Sequence, residues 1–280
     1  MNPSSVQEQE FQKEKKREGK TFLFRLLMCL LGVLFVIGIW ELIAYILSSQ
    51  AASFVFPEFF TTLGKMFSLF TYKTLWVGTG YTVLRILISL SVSLVLGYFL
   101  GLFASFYEPL EYVLKPLVYV LTALPTISVI LVLVIFTKIT SYAVVFLLSF
   151  PIVYKAVLLG GKKVKEEYGP QLLLEGKYRA GNFCRIYMPL SLPHLFLGLS
   201  QTSGLCLKSE IMAETFLRSN KNVGLGQLIQ SAYTDSDFLT LMALTLFAIL
   251  IMGLVDLVFY FVKKSLNGKY GTGEEKIYHW

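Results

Sequence analysis

The chain has 280 residues, of which 55% are hydrophobic and only 15% are charged, and its mean hydropathy is +0.64. This balance excludes an ordinary soluble globular domain and predicts an integral membrane protein. The formal net charge is +7. Basic loops at a membrane surface account for that charge, so nucleic-acid binding is not expected.

Six apolar runs follow one another along the chain, each close to the roughly 20 residues that a helix needs to cross a bilayer. They cover residues 26–47, 86–106, 116–136, 139–159, 190–216 and 238–262. We therefore predict an all-α polytopic protein with six transmembrane helices. Six spans put both termini on one side. In the tails and connections on the side of the two termini there are seventeen Lys and Arg residues, and in the connections on the other side there are five. Cytoplasmic segments carry the excess of positive charge, so both termini are predicted to be cytoplasmic.

The polar ends of the chain flank a membrane domain over residues 22–264. Residues 1–21 are too poor in apolar side chains to order themselves, so we expect a disordered cytoplasmic tail, and residues 265–280 form a second tail. After the first span, FVFPEFFTTLGKMFSLF (residues 54–70) repeats apolar side chains every three or four residues. This spacing predicts a short helix along the outer interface, and a packed extracellular loop is the alternative.

Two of the central spans carry signals for helix packing. Gly97 and Gly101 in GYFLG permit close backbone approach, which favours packing within the chain over dimerisation. Pro125 in ALPTISV removes a backbone donor in the third span and predicts a bend there. A bend near the bilayer centre suits either a solute pathway or simple packing.

No stretch of the chain matches the chemistry of an enzyme. The phosphate-binding pattern G-x-x-x-x-G-K-[ST], the zinc pattern H-E-x-x-H and the nucleophile elbow G-x-S-x-G are all absent from the sequence. A protein of this kind that moves a solute uphill needs an energy source outside itself.

A basic, glycine-containing segment, EGKYRAGNFCRIYMPLSLP (residues 175–193), interrupts the apolar runs on the predicted cytoplasmic side. Its aromatic and aliphatic side chains can form one apolar face, while lysine and arginine project charge and two glycines allow sharp turns. Such a segment suits docking into the groove of a partner, and a solvated loop is the alternative.

This segment resembles the cytoplasmic EAA loop of ABC importer permeases. Counted back from the prolines that end it, Gly176 falls on the glycine of the motif, Phe183 on its aromatic or aliphatic position and Ile186 on its aliphatic position. Residues 170–172 (PQL) replace the glutamate and alanines that give the motif its name. The resemblance implies a coupling loop over about residues 160–190. The residues implied to dock an ATPase are Leu173, Gly176, Lys177, Tyr178, Arg179, Gly181, Phe183, Arg185, Ile186 and Pro189.

The resemblance extends over most of the chain. GIWEL (38–42), TVLRILISLSVSLVLGYFLGL (82–102), LKPLVYVLTALP (114–125), IMAETF (211–216) and NVGLGQLI (222–229) are similar to binding-protein-dependent permeases that serve nitrate, sulfonate, taurine and thiamine-precursor uptake. This likeness implies the type I ABC importer permease fold in a bacterial inner membrane. It also implies an ABC ATPase subunit that uses ATP and Mg, an extracytoplasmic solute-binding protein and a second permease copy, most simply a homodimer. The chain itself is expected to bind no cofactor and no metal.

Three charges interrupt the fifth span, where each would cost about 2.5 to 3.5 kcal/mol at the centre of a lipid-exposed helix. They are Lys208, Glu210 and Glu214, and with Pro125 they are predicted to line the pathway or its gate. The alternative is that all three charges lie in interfacial water or form structural pairs, and Glu214 can reach Arg218 one turn further on. Arg85 is expected to extend toward the outer interface.

Two other function classes remain open at this point. A self-contained, ion-coupled secondary transporter or a channel would use the charges of the fifth span directly. A membrane-embedded enzyme would require a nucleophile or metal site, which the sequence does not display.

Overall fold

The computed structural model describes the backbone of residues 24, 27–47, 56–137, 139–174, 188–217 and 222–270. Within these ranges, side chains are described except at residues 167–174, 189, 190, 193, 197, 259, 260 and 262–270. All regular secondary structure in the described part of the chain is helical, so the predicted all-α class is confirmed.

Nine helices make up these ranges. They are α1 (Leu27–Leu47), α2 (Phe59–Leu69), α3 (Lys73–Phe106), α4 (Glu108–Ala123), α5 (Thr126–Phe136), α6 (Thr140–Leu174), α7 (Met188–Phe216), α8 (Leu225–Thr234) and α9 (Phe238–Tyr270).

Four of the described helices are long and apolar enough to cross a membrane, namely α1, α3, α6 and α9. The pair α4 and α5 forms a fifth candidate if the two helices, bent by 96°, count as one span. Helix α7 lies on the predicted fifth span but is not among the candidates, since serine, threonine and charged residues interrupt its apolar sequence. The count of six spans therefore stays a prediction.

The chain divides into two compact units, residues 1–65 and 66–280. In the first unit, the indole nitrogen of Trp40 donates a hydrogen bond of 3.1 Å to the carbonyl of Pro57. The Glu41 carboxylate accepts a bond of 3.1 Å from the backbone N–H of Phe59, at the start of α2. A carboxylate at a helix N-terminus satisfies an otherwise unpaired donor. The helix predicted after the first span thus forms, and the N–H of its first residue is capped.

The second unit is built around α6, which packs against both α3 and α7. Glycines set these contacts: a Cβ added at Gly97 would lie 2.9 Å from Cγ1 of Val153, and one at Gly101 would lie 2.8 Å from the carbonyl oxygen of Tyr154. The GYFLG pattern therefore serves packing inside the chain, as predicted. The two helices approach as closely one turn beyond Gly101, where a Cβ added at Gly161 of α6 would overlap the side chain of Ser105 of α3.

Pro125 lies at the break between α4 and α5. Leu124 and Pro125 both adopt extended backbone angles, and the helix axis turns by 96° across them. Proline has no N–H to continue the helix, and it disfavours helical angles in the residue before it. The predicted bend is confirmed, and it is a break between two helices and not a kink within one. By contrast, α6 continues without a break through Pro151.

Candidate functional site

A buried ion pair joins α3 to α7. Nη1 of Arg85 lies 2.6 Å from Oε1 of Glu214, with the glutamate side chain fully buried and the arginine side chain about one-tenth exposed. The other terminal nitrogen of Arg85 donates a bond of 2.7 Å to the carbonyl of Asn222. Arg85 therefore points into the protein and does not extend to the interface, which corrects the expectation for this residue. The guanidinium satisfies two acceptors on two different segments.

Glu214 also receives donors from α3 and from the start of α8. The hydroxyl of Thr82 lies 3.0 and 2.9 Å from its two carboxylate oxygens, and the backbone N–H of Gly226 donates a bond of 2.8 Å. The N–H of Leu225 in turn donates to the Thr82 hydroxyl at 2.8 Å. The carboxylate thus occupies the positive N-terminal end of α8, where unpaired N–H groups favour an anion. We call Thr82, Arg85, Glu214 and the start of α8 the buried network.

The NVGLGQ sequence explains why the chain can bring α8 this close to α7. Asn222 has a φ of 60°, a left-handed angle that asparagine tolerates better than most residues. Gly224 and Gly226 face Glu214 directly, so that an added Cβ would overlap the glutamate side chain. Only glycine lets the backbone approach a carboxylate in this way.

Gln227 holds the first turn of α8 in place. Its side-chain oxygen accepts a bond of 3.1 Å from the N–H of Gly224, and its amide nitrogen donates a bond of 2.8 Å to the carbonyl of Leu217. This side chain therefore links the end of α7 to the start of α8 as half of a capping box.

Replacing Gln227 with alanine should lower the free energy of unfolding by about 1 kcal/mol, since a capping side chain is lost and two backbone groups lose their partner. Thermal unfolding of the purified chain in detergent measures the change. A Gln230→Ala variant on the same helix is the control. Equal stability of the two variants would contradict the capping role.

Glu210 lies one turn from Glu214 on α7 and is also fully buried. The hydroxyl of Ser141 on α6, the Glu214 carboxylate and the Arg85 guanidinium are its polar neighbours. Neither carboxyl oxygen of Glu210 makes a hydrogen bond of acceptable geometry within the described part of the chain. A buried carboxyl group without partners is costly, so this position differs in kind from Glu214.

Lys208 lies on the other side of α7 and is exposed. Gln201, also exposed, and the half-buried Thr215 precede and follow it by seven residues, so the three share one helix face. On α9, the exposed Asp256 accepts a bond of 3.3 Å from the hydroxyl of Ser203, a buried residue of α7. The predicted pathway set is therefore split: Glu210 and Glu214 point inward and Lys208 points outward.

Two ion pairs join the start of α4 to α6. Nζ of Lys162 lies 2.6 Å from the Glu111 carboxylate, and Nζ of Lys165 lies 3.7 Å from that of Glu108. The docking residues predicted in the coupling loop at positions 176–186 follow the end of α6 and lie outside the described residues, and so do the side chains of Leu173 and Pro189. Their assignment stays a prediction. In the ranges that the structure covers, no group of three or more His, Cys, Asp or Glu side chains could hold a metal ion.

Residues 93–271 match the family model described as "Binding-protein-dependent transport system inner membrane component". This match covers more than half of the chain, which therefore belongs to that family, the permease components of ABC importers. The resemblance seen in the sequence is confirmed at this level, and the chain is a multi-pass inner membrane protein. None of the curated protein sequences compared with the chain matches it.

Proposed function

We propose that this chain forms the solute pathway of an ATP-driven importer and receives its energy from a separate ATPase subunit that docks on residues 170–189. An extracytoplasmic solute-binding protein delivers the solute, and a second copy of the chain completes the pathway. ATP and Mg bind to the ATPase, and the permease contributes no chemistry of its own. Both termini face the cytoplasm.

The length and packing of α6 carry this proposal. Its 35 residues extend over about 52 Å at 1.5 Å per residue, which exceeds the roughly 30 Å of a bilayer core. The excess at its end includes Lys162 and Lys165, which are paired with the start of α4. A docking segment at the end of such a helix can transmit force directly to α3 and α7, against which α6 packs.

The exposed face of α7 supports a pathway between two copies. Lys208 and Asp256 carry charge on helices that lie in the membrane domain, yet both are exposed in a single chain. Charges at membrane depth face protein or water and not lipid. A second copy of the chain would supply the protein surface, and a solute pathway between the two copies would supply the water.

Site-directed crosslinking tests the docking segment. Cys29, Cys184 and Cys206 are first replaced, and Arg179→Cys is then introduced and coupled to a cysteine-to-lysine crosslinker in a complex that hydrolyses ATP. We expect the ATPase to be captured from residue 179. The matched control is Thr71→Cys, at the opposite end of the second unit near the start of α3, which should capture no ATPase. Equal capture from both positions, or none from residue 179, would refute the docking proposal.

A self-contained ion-coupled transporter is the alternative, and the fully buried, unbonded carboxyl group of Glu210 is the observation that favours it. Reconstitution of the chain alone separates the two functions. Uptake driven by an ion gradient without any ATPase would establish the alternative, whereas uptake that requires the ATPase and ATP would establish the importer.

A further inference from the structure

Glu210 and a neighbouring serine are buried polar side chains without hydrogen-bond partners among the described residues. Glu210 itself is 0% exposed and Ser141 is 2% exposed, and the side-chain oxygens of both lack a hydrogen-bond partner within the described residues. Native proteins leave few buried polar atoms unpaired, so the unpaired oxygens of these two neighbouring side chains indicate a missing ligand.

The charge of this region points to the kind of ligand. Glu214 is paired with the guanidinium of Arg85, and Glu210 interacts electrostatically with both. With both carboxyl groups ionised, the three side chains carry a net charge of −1. Arg85 is already bonded to Glu214 and to the carbonyl of Asn222. Lys208 is exposed, on a different face of α7 from Glu210. One further positive charge would balance the cluster.

We propose that Glu210 is the binding site for one small monovalent cation, which its carboxyl oxygens and the hydroxyl of Ser141 hold between α6 and α7. A proton and a sodium ion share the required chemistry, a single positive charge placed on a carboxylate oxygen. All groups named for the site belong to one chain. The site therefore goes beyond the proposed importer function and does not depend on it.

Each helix packed around Glu210 contributes a defined group. Arg85 comes from α3, Ser141 from α6, and Glu214 and Cys206 from α7 itself. Helix α5, whose Ile130 packs with Val144 and Ala213 in the adjacent apolar cluster, has no titratable residue in its sequence. Cation binding at Glu210 thus acts on the contact between α6 and α7, the helices that flank the proposed docking segment.

Thermal unfolding of the purified full-length chain in nanodiscs tests this site without a solute or an ATPase. The midpoint is measured in sodium chloride and in choline chloride at equal ionic strength, and across a pH series in choline chloride. The variants are Glu210→Gln, which keeps the shape of the side chain but binds neither cation, and Ser141→Ala, which removes the neutral ligand. Glu108→Gln, an exposed glutamate, is the control.

A sodium site predicts a midpoint that rises by several degrees from choline to sodium, by less in Ser141→Ala and not at all in Glu210→Gln. A proton site predicts no sodium effect. Instead, the midpoint falls as the pH rises through the titration of Glu210, and this dependence is lost in Glu210→Gln.

Infrared spectra of the wild-type chain provide a second readout, since a bound proton gives the carbonyl stretch of a carboxylic acid that disappears at high pH. This readout holds even if Glu210→Gln fails to fold. The proposal is overturned if the wild-type chain shows neither sodium stabilisation nor a carboxylic acid band. It is equally overturned if Glu210→Gln and Glu108→Gln respond alike to both cations.

Discussion

Replacing Arg85 with alanine should destabilise the protein by about 3 to 5 kcal/mol, because it leaves the carboxylate of Glu214 buried without its counter-ion. The carbonyl of Asn222 loses its donor in the same step. We expect a sharp fall in folded protein extracted from membranes and a lowered thermal midpoint for the fraction that remains.

The pair between Lys162 and Glu111 provides the matched control. Its lysine side chain is 40% exposed, against 10% for Arg85, at the same nitrogen-to-oxygen distance of 2.6 Å. Fully exposed pairs contribute about 0 to 1 kcal/mol. The pair between Lys162 and Glu111 is part-buried, so Lys162→Ala should cost little more than that and clearly less than Arg85→Ala. A double-mutant cycle with Arg85→Gln and Glu214→Gln isolates the coupling between the two buried side chains. Coupling no larger than that between Lys162 and Glu111 would contradict the structural role of the buried network.

Gly226→Ala should have the second largest effect, a loss of about 1 to 3 kcal/mol or more from overpacking. An added Cβ at this position would collide with the backbone carbonyl of Ile211 and lie 2.7 Å from Cβ of Glu214. A backbone atom cannot move aside as a flexible side chain can. Helix α8 would have to shift away from α7, and the bond from the Gly226 N–H to Glu214 would lengthen or break.

Gly80 in α3 serves as the control for this substitution. Nothing lies within 4 Å of a Cβ added there. Since alanine is favoured over glycine inside a helix by about 1 kcal/mol, Gly80→Ala should leave stability unchanged or raise it. Denaturation of both variants in detergent measures the difference, and a Gly226→Ala protein as stable as Gly80→Ala would show that α8 need not contact α7 so closely.

The helical framework was predictable from sequence because its signals are local. Long apolar runs predict helices, the GYFLG glycines mark a surface for close packing, and Pro125 lacks the N–H that a helix needs, so each signal can be read from one short stretch of sequence. The structure bears out the helices, the glycine contacts and the break at Pro125, while the count of six spans stays a prediction. The limits of that approach appear in α7, whose helix forms as expected although its composition falls short of a lipid-facing span.

The buried network escaped prediction because its partners are distant in sequence. Local spacing favoured Arg218 as the partner of Glu214, and Arg218 lies outside the described residues. The structure places Arg85, 129 residues away, on that carboxylate. The available signal was the glycine-rich NVGLGQ that follows Glu214 and opens a helix, a pattern typical of an anion held by backbone N–H groups. Helical periodicity could also have separated Lys208 from Glu210, since residues two apart lie on nearly opposite faces.

The span of 129 residues between Arg85 and Glu214 also has a consequence for how the protein is made. At about 5 to 20 residues per second, the ribosome needs roughly 6 to 26 seconds to synthesise the intervening chain. During that interval Arg85 lacks its partner Glu214, and an unpaired arginine inside a membrane-spanning helix is costly. Until α7 has been synthesised, α3 is therefore expected to remain in contact with water, lipid headgroups or the insertion machinery. It should enter the bilayer fully only after Glu214 can pair with Arg85. Truncated chains that end before residue 214 should accordingly leave α3 accessible to water-soluble labels.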